Sequence, residues 1–222
     1  MRSFAGLPVL DWDDSTGRDP AGFAWRLPGA DSGPGALAEQ LRATLERCGA
    51  AGPRALVIGD WGVVQGELFP VGLLLENARL MPHRRGLFVW DVSSEACEIS
   101  WLRMTDVTPL LETSSELEHL GFRGSTERWL TPVRHGRLRE LVIQSCGLPA
   151  EVVRAFVSSD LGALERLELW LGSEEFDGDT ILDDLAPVLS ERLVAELPGV
   201  VVDVSDAQDE EQAGGRYTAV GE

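Results

Sequence analysis

Apolar residues recur along this chain at a spacing that alternates between strand and helix. Leu138, Leu141, Ile143, Cys146 and Leu148 fit the pattern L-x-x-L-x-L-x-x-C-x-L at every fixed position. Leu141 and Ile143 alternate with Val142 and Gln144, and a period of two predicts a short strand with one face turned to a core. Pro149 follows and opens a stretch in which Val152, Val153, Phe156 and Val157 share one helical face. The strand opening recurs as Leu117, Leu120, Phe122 and as Leu164, Leu167, Leu169. Degenerate copies stand at Leu56 with Ile58, Leu87 with Val89, and Leu197 with Val200 and Val202. A second echo sets Asp106-Val-Thr-Pro109-Leu-Leu111 against Asp184-Leu-Ala-Pro187-Val-Leu189. Six strands are therefore expected, centred near residues 57, 88, 121, 142, 168 and 201. Connections of about 20 residues or more, each with a helix, require neighbouring strands to pair in parallel. Neither element can bury its apolar face alone, so the units must stack into one continuous core.

These residues resemble leucine-rich repeats, and the strict unit with Cys146 at the Asn/Cys position resembles the ribonuclease-inhibitor-type strand–helix subclass. More narrowly, three segments resemble cytoplasmic leucine-rich-repeat proteins of actinobacteria. They are the Asp106–Leu111 segment, the run Leu164-Glu-Arg-Leu-Glu-Leu-Trp-Leu-Gly172, and the ending Val202-Asp-Val-Ser-Asp206 with Gly215-Arg-Tyr217. The resemblance covers most of the chain from about residue 50. It implies an α/β, right-handed leucine-rich-repeat solenoid with parallel strands on the concave face and helices on the convex face. Relatives of this kind often carry further repeats before the ending, where this chain has a single interval, which leaves room for a lost repeat.

The two ends do not repeat. Residues 1–34 are expected to form a short β capping segment, with strands around Leu7–Trp12 and Gly22–Leu27 joined by the turn-rich Asp13–Gly17. Ser32-Gly33-Pro34 then starts a helix in which Leu37, Leu41 and Leu45 recur every four residues. The solenoid is expected over residues 35–204 and an acidic C-terminal tail over residues 205–222. Arg216–Val220 is expected to form a last extended piece.

Charge and composition narrow the function. With 37 acids, 19 bases and a formal charge of −18, the chain is a poor match for nucleic acid, whose phosphates need cationic contacts. No apolar run approaches the roughly 20 residues of a membrane span, and no basic start precedes an apolar run and a cleavage site. Cys48, Cys97 and Cys146 lie about fifty residues apart with no CxxC, as in reduced cytosolic proteins. The expectation is a cytoplasmic protein that meets a protein partner, a basic one on charge grounds, with no membrane and no nucleic acid.

Candidate chemistry is sparse. Asp11, Asp13, Asp14, Ser15 and Gly17 outline a calcium loop, but its twelfth position is Gly22, where a bidentate Glu is required. The acidic run from Glu174 to Asp184 reads as a solvated loop and a helix start, with Asp179 as the N-cap. His83, His119 and His135 lack metal-binding spacing, and His83 with Arg84 and Arg85 reads as a polar turn. There is no G-x-S-x-G elbow and no phosphate-cradling glycine loop. No catalytic residue, metal or cofactor is therefore expected. The rival reading is a small hydrolase or metal-dependent enzyme built on the acidic loops.

The informative residues are those that alternate with the core positions. Period two turns Val57 and Gly59, Phe88 and Trp90, His119, Gly121 and Arg123, Glu140, Val142 and Gln144, and Arg166, Glu168 and Trp170 to the other face. Solenoids bind partners there, because curvature gathers residues from several repeats into one patch. Aromatic residues and Arg are enriched at binding hot spots. Phe88, Trp90, Arg123, Gln144, Glu168 and Trp170 are the candidate partner-binding residues; the structural alternative is that the rings tuck under the capping segments. Cys146 is expected to be a small buried residue in a turn. The functional expectation is a non-enzymatic protein–protein interaction module, or more narrowly an inhibitor of a basic enzyme such as a ribonuclease.

Overall fold

The computed structural model describes residues 1–14, 16–27, 35–60, 68–92, 97–124, 130–172, 176, 178–180 and 184. Eight strands among these form one sheet, with spatial order equal to chain order. They are β1 (Ser3–Phe4), β2 (Leu7–Asp11), β3 (Ala24–Leu27), β4 (Ala55–Ile58), β5 (Gly86–Val89), β6 (His119–Arg123), β7 (Glu140–Gln144) and β8 (Arg166–Trp170). Only the β1–β2 pair is antiparallel; from β2 to β8 every pair is parallel. Helices α1 (Ala36–Cys48), α2 (Val71–Glu76), α3 (Thr108–Thr113) and α4 (Ala150–Val157) lie in the connections.

The register follows the repeat spacing. Leu56, Leu87, Leu120, Leu141 and Leu167 stand side by side across β4 to β8, and Ile58, Val89, Phe122, Ile143 and Leu169 form the next row. Both rows belong to one core shared with Leu37, Leu41 and Leu45 of α1, Leu74 of α2, Leu110 and Leu111 of α3, and Val152, Val153 and Phe156 of α4. This is the helix face of the sheet. Local chemistry fixes the connections. Asp106 accepts the Thr108 N–H at 2.9 Å ahead of α3, where Pro109 occupies the first turn. Asp179 accepts the Ala150 N–H at 2.6 Å, so it caps α4, the helix of the previous unit. The helix that the sequence assigned to it lies outside the described residues. So do the strand near 201, the Ser32–Pro34 helix start, Glu174 and Glu175, the junction that leaves room for a lost repeat, and the tail 205–222.

The N-terminal segment contributes three strands to the sheet. Predicted strands near Leu7–Trp12 and Gly22–Leu27 are present as β2 and β3, but they pair in parallel and extend the same sheet. The hairpin is instead β1 with β2, turned by Ala5 and Gly6 at φ 49° and 73°. Two successive left-handed residues suit the right-handed twist of a two-residue hairpin. The sheet is curled. In a flat sheet β1 and β5 would stand roughly 19 Å apart at four strand spacings, yet the rings of Phe4 and Phe88 meet edge-on with centroids 5.9 Å apart. Phe4, Ala5, Leu7 and Val9 thus pack on a second, smaller apolar cluster of Ala24, Ala55, Val57, Phe88 and Val142. This second side is the hairpin face.

Two glycines make room for the hairpin. A Cβ on Gly121 would lie 2.4 Å from a Phe88 ring carbon, and one on Gly86 would lie 2.8 Å from both Phe4 and Ala5. Gly121→Ala is therefore expected to push Phe88 into Phe4 and to cost roughly 1–3 kcal/mol. Urea melts check the cost, and faster amide exchange at Ser3–Gly6 checks the route; unchanged exchange would mean that Phe88 yields without disturbing the hairpin.

The polar turn expected at His83–Arg85 is only partly polar. Arg84 is 2 % exposed, donating to Ser114 Oγ at 2.6 Å and to Met81 Sδ at 3.6 Å. Burial lowers its pKa to about 10. Its aliphatic stem and planar head fill space between the turn and the end of α3, a use of Arg that a charge pattern does not announce. His135 is also buried, with Nε2 on the Ser114 carbonyl at 3.0 Å and Nδ1 accepting the Leu138 N–H at 3.0 Å. Cys146 is buried, in the turn that follows β7. No helix among the described residues is long and apolar enough to cross a membrane.

Candidate functional site

The hairpin face has two halves. Over β3–β5 it is sealed by the hairpin, and Phe88 there is only 4 % exposed. Phe88 therefore lies on the predicted face but beneath Phe4, as in the structural alternative. Over β6–β8 the face opens into a cleft of about 300 Å³, lined by the hairpin on one side and by Arg123, Glu140, Val142, Gln144, Arg166 and Glu168 on the other. Of the six predicted residues, the structure brings Phe88, Arg123, Gln144 and Glu168 to this cleft. Trp170 is half-buried on the same face, in register with Gln144, and is not among the cleft-lining residues.

Trp90 is not on this face. It is 2 % exposed and belongs to the helix-side core. The cause is backbone: β5 ends at Val89, and Trp90 takes φ 68°, the left-handed region that breaks the alternation of a strand. The indole turns inward and Asp91 takes the outward place. Asp91 accepts from Arg26 Nε at 3.0 Å and Nη2 at 2.6 Å. Arg26 also reaches Asp11 at 3.1 Å, so the first acid of the supposed calcium loop is held in an ion pair. Among the described residues no group of three or more His, Cys, Asp or Glu is placed to hold a metal ion.

The floor of the cleft is a ladder of polar side chains spaced by the strand register. Arg123 donates from Nη1 to the Val92 carbonyl and from Nε to Gln144 Oε1 at 2.9 Å. Gln144 Nε2 donates to Glu168 Oε1 at 2.9 Å. Arg166 bridges Glu168 Oε2, at 2.7 Å, and Glu140 Oε1. His119 Nδ1 lies 2.9 Å from Glu140 Oε2. Burial pushes the Arg123 pKa down against the pull of Asp91 and Glu168. Glu140, Arg166, His119 and Asp91 were not among the residues singled out. The first three were legible from strand parity, whereas Asp91 depends on the turn at Trp90.

The Glu140 carboxyl is held below its ordinary value, first by the hydrogen bond from His119 and, against burial, by Arg166. A carboxyl with a depressed folded-state pKa contributes stability that is full above its unfolded value, about 4.3, and lost as the pH falls through the folded value. The urea midpoint of wild type is therefore expected to exceed that of Glu140→Gln most above about pH 5, and the gap should close on acidification. A gap that stayed constant down to about pH 3 would mean that the ion pairs add nothing through this carboxylate.

No family model and no curated protein matches the chain. A solved structure that it resembles is that of a Bacteroides fragilis protein, a target of the Northeast Structural Genomics Consortium. The two are 28% identical over 74% of this chain, with a TM-score of 0.64. The chain spans less than half, 45%, of that protein's length. The likeness supports the mostly parallel sheet architecture and carries no activity with it.

Proposed function

We propose that this chain is a right-handed solenoid of leucine-rich-repeat type, with its helices on the convex side, and a non-enzymatic module that binds a protein partner on the hairpin face of β6–β8. The observation that carries the function is the contrast between the two halves of that face. One half is sealed by the protein's own hairpin. The other presents a half-buried, mutually oriented ladder on rigid strands, beside a cleft of about 300 Å³. The strict repeat at Leu138, the chain-order sheet and the helices between strands support the repeat assignment. Right-handedness follows the strong preference of parallel crossovers. Both oxygens of Glu140 and of Glu168 are already engaged, which suits fixed recognition better than a poised acid or base. The signs along the ladder alternate, so the narrower role of inhibiting a basic enzyme gains no support from it.

The test is affinity capture from a lysate of the native cells with wild type and with the double variant Arg123→Ala, Trp170→Ala. A partner held by wild type and released by a variant that melts like wild type is the expected result. A partner held equally by both would move the binding surface off this face.

A further inference from the structure

The hydrogen-bonding capacity left open in the cleft identifies what it can take. Every carboxylate oxygen of the ladder has a donor, and the Gln144 amide is engaged at both ends. Arg123 spends Nε and Nη1, while Nη2 has no partner among the described residues. The spare capacity of the floor is therefore guanidinium N–H, from Nη2 of half-buried Arg123 and from Nε of the more exposed Arg166, which matches an anionic oxygen.

The opposite wall supplies a second constraint. In the hairpin, Phe4 pairs with Leu7 around the turn, and Val9 donates to the Arg2 carbonyl at 3.0 Å. Ser3, between these two pairs, stands opposite Pro8, which has no N–H to give. Antiparallel pairs alternate, so the N–H and C=O of Ser3 point away from β2. Neither group has a backbone partner among the described residues, and Ser3 lines the same cleft as Arg123. An unpaired edge of this kind is a template for one more strand. The apolar Phe88 and Val142 line the same cleft.

Resting on the binding role given above, we propose that the cleft takes a short extended peptide bearing a carboxylate. The peptide adds as a strand along β1 through Ser3, places the carboxylate on Arg123 and lays a neighbouring apolar side chain on Phe88 and Val142. The partner is thus locally acidic at the contact, in place of the basic partner that the net charge of −18 led us to expect. That net charge repels such a peptide at long range, so added salt should speed its association, opposite to the behaviour of a basic ligand.

The experiment screens the full chain against random heptapeptides in two pools, one N-acetylated and C-amidated, the other with free C-termini. Binders are placed by amide shift changes on the protein. The expected winners carry Asp or Glu beside an aliphatic or aromatic residue and shift Ser3–Gly6 together with β6–β8. Enrichment confined to free C-termini assigns the anion to the terminal carboxylate; enrichment in both pools assigns it to a side chain. Replacing the acid by its amide is expected to weaken binding about tenfold or more, and so are Arg123→Gln in the protein and N-methylation of the peptide backbone. The N-methyl arm leaves the protein untouched, so it stands even where Arg123→Gln melts early. Neutral or Lys/Arg-rich winners on this face would overturn the acidic-peptide inference and leave the binding role standing. Winners that map elsewhere, or no binder in either pool, would overturn both.

Discussion

Replacing Trp90 by alanine is expected to destabilise the protein by about 3–5 kcal/mol, the range for a large buried aromatic. The residue is 2 % exposed, in the core beneath the helices, and its loss opens a cavity that rigid parallel strands cannot collapse. Trp170, half-buried on the hairpin face, should cost much less, near the 1 kcal/mol or below expected of a surface position. Urea melts of the two variants therefore separate the faces in one comparison. Equal losses would place both rings in equivalent surroundings and contradict the inward turn at Trp90. The left-handed backbone there adds a second check. Trp90→Gly relieves the φ strain that Trp90→Ala keeps, so part of the extra cost of glycine is offset.

Leu141→Ala and Ile143→Ala are each expected to cost about 2–5 kcal/mol, because each removes a fully packed side chain from the rows that run across β4–β8. Val142→Ala, between them and 8 % exposed, should cost less, since it borders the cleft and solvent can take part of the vacated space. The order Leu141 and Ile143 well above Val142 follows from period-two geometry alone. A reversed order in the melts would mean that the strand presents its other face to the helices.

The comparison with the sequence turns on where side-chain period is a sufficient guide. Leu141, Ile143, Leu120 and Phe122 were legible because a strand with one core face repeats every second residue. Cross-strand register followed, as stacking must align equivalent positions of successive units. Trp90 was misplaced because a single left-handed residue at the end of β5 reverses the alternation, and no glycine or asparagine marks it. Arg123, Gln144 and Glu168 were found by parity, yet their joining into a ladder depends on side-chain lengths spanning adjacent strands. The hairpin over Phe88 was the hardest to foresee. It depends on contacts between residues more than eighty positions apart, and its only local signs are Ala5-Gly6 and the small Gly86 and Gly121 beneath it. Asp179 shows the same limit: its residue type announces a helix cap, but only the fold shows that the helix is α4.

The binding surface is tested most directly by hydrogen exchange of the chain with and without the partner captured from lysate. Slowed exchange is expected at Ser3–Gly6 and along β6–β8, where the ladder from Arg123 to Glu168 lines the cleft. The amides of α1 and α4 should stay unchanged. Protection confined to the helices, with the hairpin and β6–β8 exchanging as in the free protein, would contradict recognition on this face.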